Sequence, residues 1–373
     1  MTGATRDPLP DWPDAGAPLR PQTREQLGRY IAQARERKVS IGPPGAAHGW
    51  DLSELHEVVS FHPPDMILSV EPGLTLDAIK DAAEKEHLWL PLDAPHGGNV
   101  SLAQYLAGDD SISWLSHHHG ASRDWVMRVT ACDDRGREVS SGARVVKNVA
   151  GYQLAPLYIG ARDALGPLVE VTFRLLPLPA RLTLAKWDAD SHTSLITILQ
   201  QARRQTHPSG RGEPWEALRI VRQGKHWRLE GVTRFPPETA ASWGSPGNDD
   251  TISQVELPPR EYRNSPFHPA LRLQTLPTHV IPLLESLERL QTDLVCYPAA
   301  GVVTLADDGR HLDGPALQTL IAQVVAAGGK ARVHSPESGI RVPAAADPER
   351  DILRRVKAAL DPDGVFGPLP ETL

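Results

Sequence analysis

Apolar positions along the chain change their spacing repeatedly, and each change marks an element. Over residues 24–37, Leu27, Tyr30, Ile31 and Ala34 fall on one stripe at helical spacing, with Thr23 placed to cap the first turn. A short strand over 38–41 runs into the loop Pro44, Gly45, Ala46, Ala47, His48 and Gly49. Residues 66–70 predict a strand closed by Glu71-Pro72-Gly73. Thr75 then caps a helix over 76–86 whose inner face carries Leu76, Ile79 and Ala83, and 88–92 predicts another strand. Residues 125–131 and 137–140 read as a hairpin about Arg135-Gly136, and 168–176 alternates as a strand that Pro177 and Pro179 terminate.

Beyond residue 180 the same alphabet repeats with a different plan. Strands are expected at 182–187, 217–222, 226–233, 271–275, 294–297, 301–306 and 330–334. Helices are expected at 194–204, 279–290 and 315–326, and the Pro-, Gly- and Ser-rich stretch 235–269 reads as a surface excursion. Strand–helix–strand sets of this kind suit an antiparallel sheet backed by helices.

Composition narrows the class. The chain has 373 residues, enough for two lobes, with 40% hydrophobic and 23% charged residues, a globular mixture. A formal charge of −7 argues against nucleic acid as a partner. No apolar run approaches the roughly 20 residues that cross a bilayer. The first residues lack the apolar core of a secretory signal and read as a Pro-rich arm, which makes a cytoplasmic location the expectation. Only two cysteines occur, Cys132 and Cys296, both in strand-like settings. They exclude a disulfide framework and an iron–sulfur cluster held by this chain alone, so electrons handled here would leave through an acceptor or a partner.

The most informative stretch is Arg144 to Tyr152, RVVKNVAGY, followed by Gly160-Ala-Arg-Asp-Ala-Leu-Gly166 and the strand at 168–176. Small residues at strand ends let a backbone approach a large ligand and leave N–H groups to donate. This order of pieces resembles the FAD-binding PCMH-type (vanillyl-alcohol oxidase-like) family, and within it the FAD-binding E subunit of bacterial glycolate oxidase. The tail is similar too, with Lys357, Asp361, Pro362 and Gly364 holding a family pattern from which Phe366-Gly-Pro-Leu departs.

The resemblance implies an α+β fold of two lobes: a PCMH-type FAD-binding domain over 21–179 and an antiparallel-sheet cap over 180–345. Residues 1–20 would be an arm, and 346–373 would return to the first lobe. It implies non-covalent FAD and a small 2-hydroxy acid as substrate. It also implies a sister flavin subunit and an iron–sulfur subunit, association with a membrane running through such a partner. The positions it assigns to the cofactor are Pro44, Gly45, Ala46, Ala47, His48, Pro95, Ser101, Leu102, Arg123, Lys147, Asn148, Gly151, Tyr152, Gly160, Leu165 and Gly166. His96 is placed near the flavin ring, and no residue is assigned a catalytic role.

The same comparison exposes departures. FAD presents a diphosphate, which proteins commonly meet with a fan of backbone N–H groups from glycine-rich turns. Ala46 and Ala47 stand where the family has glycines, Ser101-Leu102-Ala103-Gln104 replaces its second glycine pair, and Asp163 replaces the middle glycine of the third turn. A non-glycine residue forced into the left-handed region costs about 1–2 kcal/mol. Two readings therefore stand at this level: a flavin oxidoreductase subunit, with FAD binding weakened or lost, or a flavin-free paralogue serving as a scaffold or assembly subunit. The run His117-His118-His119 predicts no metal site, because three consecutive residues rarely converge on one ion.

Overall fold

The computed structural model describes residues 12–13, 17–44, 46, 48–93, 98–108, 114–143, 154–205, 213–237, 239, 255–257, 269–290, 292–306, 314–334, 340–342 and 348–369. The first lobe comprises α1 (Arg24–Arg37), β1 (Val58–His62), β2 (Ile67–Val70), α2 (Leu76–Lys85), β3 (Leu88–Trp89), α3 (Leu102–Ala107) and α4 (Ser116–His119). It continues through β4 (Val126–Cys132), β5 (Glu138–Gly142), α5 (Ala155–Tyr158), β6 (Leu168–Arg174) and β7 (Leu176–Pro177). Its sheet runs β1-β2-β6-β4-β5 with every neighbour antiparallel.

Strand β6 is buried on both faces, so its alternation of apolar residues with Glu170 and Thr172 does not mark a solvent face. Leu168, Val171 and Phe173 face a core with α2 and α3, whereas Val169 faces one built on α1, Trp50 and Phe366. Helix α1 starts as its sequence predicts: Thr23 is the N-cap, its hydroxyl accepting from the Gln26 N–H, and Leu27, Tyr30, Ile31 and Ala34 are buried. The helix lies so close to the β4–β5 turn that a Cβ at Gly28 would sit 2.3 Å from the Gly136 carbonyl oxygen. Gly28→Ala should accordingly destabilise the protein by about 1–3 kcal/mol, as overpacking against an immovable backbone does. Urea unfolding of the variant would check it, and an unchanged midpoint would show that helix and turn can separate freely.

The second lobe contains β8 (Leu182–Ala189), α6 (His192–Arg204), β9 (Trp215–Gln223), β10 (His226–Thr233), β11 (Val255–Leu257), β12 (Pro269–Gln274) and α7 (Val280–Glu288). It ends with β13 (Leu294–Tyr297), β14 (Val302–Ala306), α8 (Pro315–Ala326) and β15 (Lys330–Val333). Eight antiparallel strands order as β11-β8-β10-β9-β13-β14-β12-β15. One face packs on α6, α7 and α8 through Leu218, Ile220, Cys296, Leu271 and Leu273. The alternate residues Val221, Val295 and Tyr297 share a cluster with Trp89, Trp114 and Leu115, joining this sheet to the first lobe. A last helix, α9 (Pro348–Leu360), precedes a tail in which Phe366 bridges Ile41 in parallel. Lys357 Nζ there donates to the Ala164 carbonyl at 2.7 Å and pairs with Asp361.

Several expectations change in detail. The strand expected at 38–41 reduces to bridges at Ile41 and Gly42, and that at 88–92 to two residues pairing with β7. Edge strand β1 has no alternation to announce it, because neither of its faces is fully covered. Within the stretch read as a surface excursion, Val255–Leu257 pairs with β8 and so belongs to the sheet.

Candidate functional site

A cavity of about 490 Å3 opens where three segments of the first lobe meet. It is within the roughly 300–1,000 Å3 of small-molecule sites. The loop preceding β1 supplies Pro43, Pro44, Trp50, Asp51, Leu52 and Ser53; α3 and its flanks supply Ser101, Ala103, Gln104, Ala107 and Gly108; the turn before β6 supplies Arg162 and Asp163.

Local sequence explains each wall. The loop doubles back because the Trp50 N–H donates to the Gly42 carbonyl at 2.9 Å and the Gly42 N–H to that of His48 at 3.1 Å. Ser101 is the N-cap of α3, its Oγ accepting from the Gln104 N–H at 3.3 Å, so a helix begins where the sequence comparison aligns a glycine loop. Arg162 and Asp163 adopt φ of 48° and 58°, two successive non-glycine residues in the left-handed region. Each costs about 1–2 kcal/mol, and such strain concentrates at functional sites.

Backbone donors around the cavity are largely committed within the protein. The Ala46 N–H donates to Pro43, Leu102 to Leu74, Ala103 to Pro72, Gly160 to Leu106, Ala164 to Ala161 and Gly166 to Asp163. Side chains remain: the exposed Arg162 guanidinium, the Gln104 amide and the Ser101 hydroxyl proton. Arg162 is the one Lys or Arg among the lining residues. The two lining carboxyls differ sharply. Asp51 is held below the usual carboxylate range by its hydrogen bond with Ser53, with Arg20 Nε 3.3 Å away. Asp163 is 8% exposed, and burial pushes its carboxyl up to about 7 against a single opposing hydrogen bond from Trp50 Nε1 at 3.2 Å.

Of the sixteen positions the sequence assigns to the cofactor, Pro44 and Ser101 line this cavity. Ala46 is exposed, and half-buried His48 meets Trp12 edge-on at 5.5 Å between centroids. Leu102 and Leu165 are buried, and Arg123 lies exposed on a 3-10 turn away from the cavity wall. Gly160 follows α5 at φ 82°, and Gly166 has a structural reason: at φ 113° a Cβ there would stand 2.2 Å from the Cys132 carbonyl oxygen. Gly45, Ala47, Pro95, His96, Lys147, Asn148, Gly151 and Tyr152 lie outside the described residues. Trp50, Arg162 and Ser53 are additions from the structure. The clue for Arg162 was the pair Arg162-Asp163 in a turn otherwise rich in small residues.

The histidine run belongs to the contact between lobes. His119 Nε2 lies 2.7 Å from Glu216 of β9, whose carboxylate also takes Arg234 Nε at 2.7 Å, and His117 Nε2 lies 3.3 Å from Glu213. Cys132 and Cys296 are free and buried, and burial pushes both thiols up, Cys132 to about 12. Among the described residues no helix is long and apolar enough to cross a membrane.

The chain has two lobes, each with an antiparallel sheet, and a cavity at the loop junction of the first, and comparison with known proteins places it among similar chains. Residues 16–142 match the FAD binding domain family. The glycolate oxidase subunit GlcE of Escherichia coli (strain K12) is 26% identical over 341 residues, covering 91% of each chain. The D-2-hydroxyglutarate dehydrogenase of Stutzerimonas stutzeri (strain A1501) is 24% identical over 207 residues, 51% of this chain and 44% of that one. A chitooligosaccharide oxidase structure shares the fold at a TM-score of 0.68 and 11% identity, over 94% of this chain and 90% of its own. The chain thus carries a match to an FAD binding domain within its first lobe and shares the fold of that oxidase. It is an FAD-binding oxidoreductase related to the glycolate oxidase subunit and to hydroxy-acid dehydrogenases.

The residues around the cavity fit the diphosphate of such a cofactor by side chains rather than by a glycine fan. A guanidinium stands on the rim, an amide and a hydroxyl line the wall, and the buried carboxyl is neutral below about pH 7.

Proposed function

We propose that this chain is a flavin-carrying subunit of a 2-hydroxy-acid oxidoreductase that hands electrons to a partner. The observation that supports it most is the cavity walled by Ser101, Gln104 and Arg162, in a chain similar to a glycolate oxidase subunit over 91% of both lengths. Bound FAD would supply the acceptor for the hydride equivalent taken from the 2-hydroxy carbon. The protein's own part is to bind and orient. Arg162 would face the diphosphate, with Ser101 and Gln104 donating to it from the opposite wall, and Pro44 and Trp50 would exclude water. Residues 21–179 would form the cofactor domain and 180–345 the cap over its reactive end, with 346–373 clamping the first lobe. Two buried, isolated cysteines leave no ligand set for an iron–sulfur cluster, so onward transfer would fall to a partner subunit.

Purified protein reconstituted with FAD should be yellow, and adding glycolate, D-lactate or D-2-hydroxyglutarate without oxygen should bleach the flavin bands. A colourless protein that leaves FAD fluorescence unchanged would refute the reading. The committed amides and replaced glycines favour one rival, a flavin-free subunit that keeps the shape for assembly. That rival expects co-purification with a flavin subunit and no flavin of its own.

A further inference from the structure

We infer that the Asp163 carboxyl is a protonation gate on the first-lobe cavity, admitting a diphosphate-bearing ligand while neutral and opposing it once ionised. The inference rests on the flavin reading for the identity of that ligand and adds its regulation.

Geometry carries the argument. Asp163 lines the cavity yet is only 8% exposed, and among the described residues the Trp50 indole N–H is the one group hydrogen-bonded to its carboxyl. The left-handed backbone at Arg162 and Asp163 places an exposed guanidinium and a buried carboxyl on adjacent residues of the same wall. A glycine in that turn would carry no such group. The charged groups on the surrounding segments have other partners. Asp51 is engaged by Ser53 and Arg20, and Lys357 by Asp361 and the Ala164 carbonyl. Helix α3 contributes the uncharged Ser101 and Gln104. None of these forms an ion pair with Asp163 among the described residues, so the Trp50 indole N–H is the one group there that opposes the burial disfavouring its anion.

The chemistry follows from charge. With the carboxyl protonated, the cavity wall carries the positive charge of Arg162 and a hydroxyl able to donate to a phosphate oxygen. When the proton leaves to solvent, the carboxylate offsets Arg162, loses its donor and repels the ligand. Binding is then linked to the uptake of one proton above about pH 7, where burial has placed the carboxyl. The diphosphate of FAD is a diester whose own protons are lost far below this range, so the ligand contributes no slope.

The test is FAD fluorescence quenching by the full chain at pH 6 and pH 8, with circular dichroism to verify folding of each variant. For the natural protein the dissociation constant should rise about tenfold between the two, the ratio expected when only the neutral form binds. Asp163→Asn, and Asp163→Gly as a second variant suited to a positive φ, should bind with one affinity at both. Arg162→Gln should weaken binding at both pH values while keeping the slope. An equal slope in the natural protein and the Asp163 variants, or no slope in any, would overturn the gate and leave the flavin reading intact. No quenching by any of the proteins at pH 6 would instead remove the flavin reading, and the gate with it.

Discussion

At pH 8 the Asp163→Asn variant should be more stable than the natural protein by about 4 kcal/mol, and at pH 4 the two should unfold alike. Burial raises the Asp163 carboxyl from 3.8 to about 7, so the folded state holds a proton that the unfolded state has released across that interval. Stability therefore falls as pH rises from about 4 to about 7, at about 1.4 kcal/mol per pH unit, and the loss is complete above the folded value. Asparagine keeps an acceptor for the Trp50 indole N–H and tolerates the left-handed backbone, so it removes the ionisation and little else. Urea unfolding at pH 4, 6 and 8 would read the difference directly. A gap that does not widen with pH would mean that the carboxyl reaches water when ionised. A natural protein retaining so costly a group beside its cavity fits strain and burial held at a working site.

The core was legible where spacing alone decides the outcome. The α1 stripe and the α8 helix required only periodicity, because each buries a single face, and β9 and β10 read as strands although both of their faces are covered. Strand β1 was hidden because an edge strand with both faces part-exposed carries no alternation. Val255–Leu257 was hidden because three residues within a Pro- and Gly-rich stretch are too few to establish a period. The family's motifs single out Pro44 and Ser101, which line the cavity. They could not show that Ser101 caps a helix in place of a glycine turn, since the same serine fits either role until its amide partner is known. Arg162 escaped notice for a related reason: a family pattern directs attention to the glycines it expects, whereas this cavity's cation stands beside the glycine it lacks.

Glu216→Ala should be the most damaging change at the contact between lobes, costing about 2–3 kcal/mol, because the carboxylate is buried while its partner Arg234 is 44% exposed. The carboxylate lies on β9 with 11% of its side chain exposed and receives both Arg234 Nε at 2.7 Å and Nη2 at 3.2 Å, together with His119 at 2.7 Å. Truncation would strand the His119 ring between Trp89 at 5.0 Å and Trp125 at 6.0 Å, and leave Arg234, among the described residues, with the face of Trp89 at 6.0 Å. Burial alone would raise this carboxyl, but the His119 hydrogen bond and Arg234 outweigh it and hold it down at about 2. Its contribution is thus complete above about 4.5 and lost as pH falls toward 2, about 2–3 kcal/mol after allowance for its partial exposure. Glu216→Gln should remove that acid limb while costing less than alanine at neutral pH, because the amide oxygen still accepts a hydrogen bond. Because the bond joins α4 to the second sheet, the alanine variant should also separate the unfolding of the lobes, giving two urea transitions in place of one. A single, unshifted transition would show that the apolar cluster of Trp89, Trp114, Val295 and Tyr297 holds the lobes together without it.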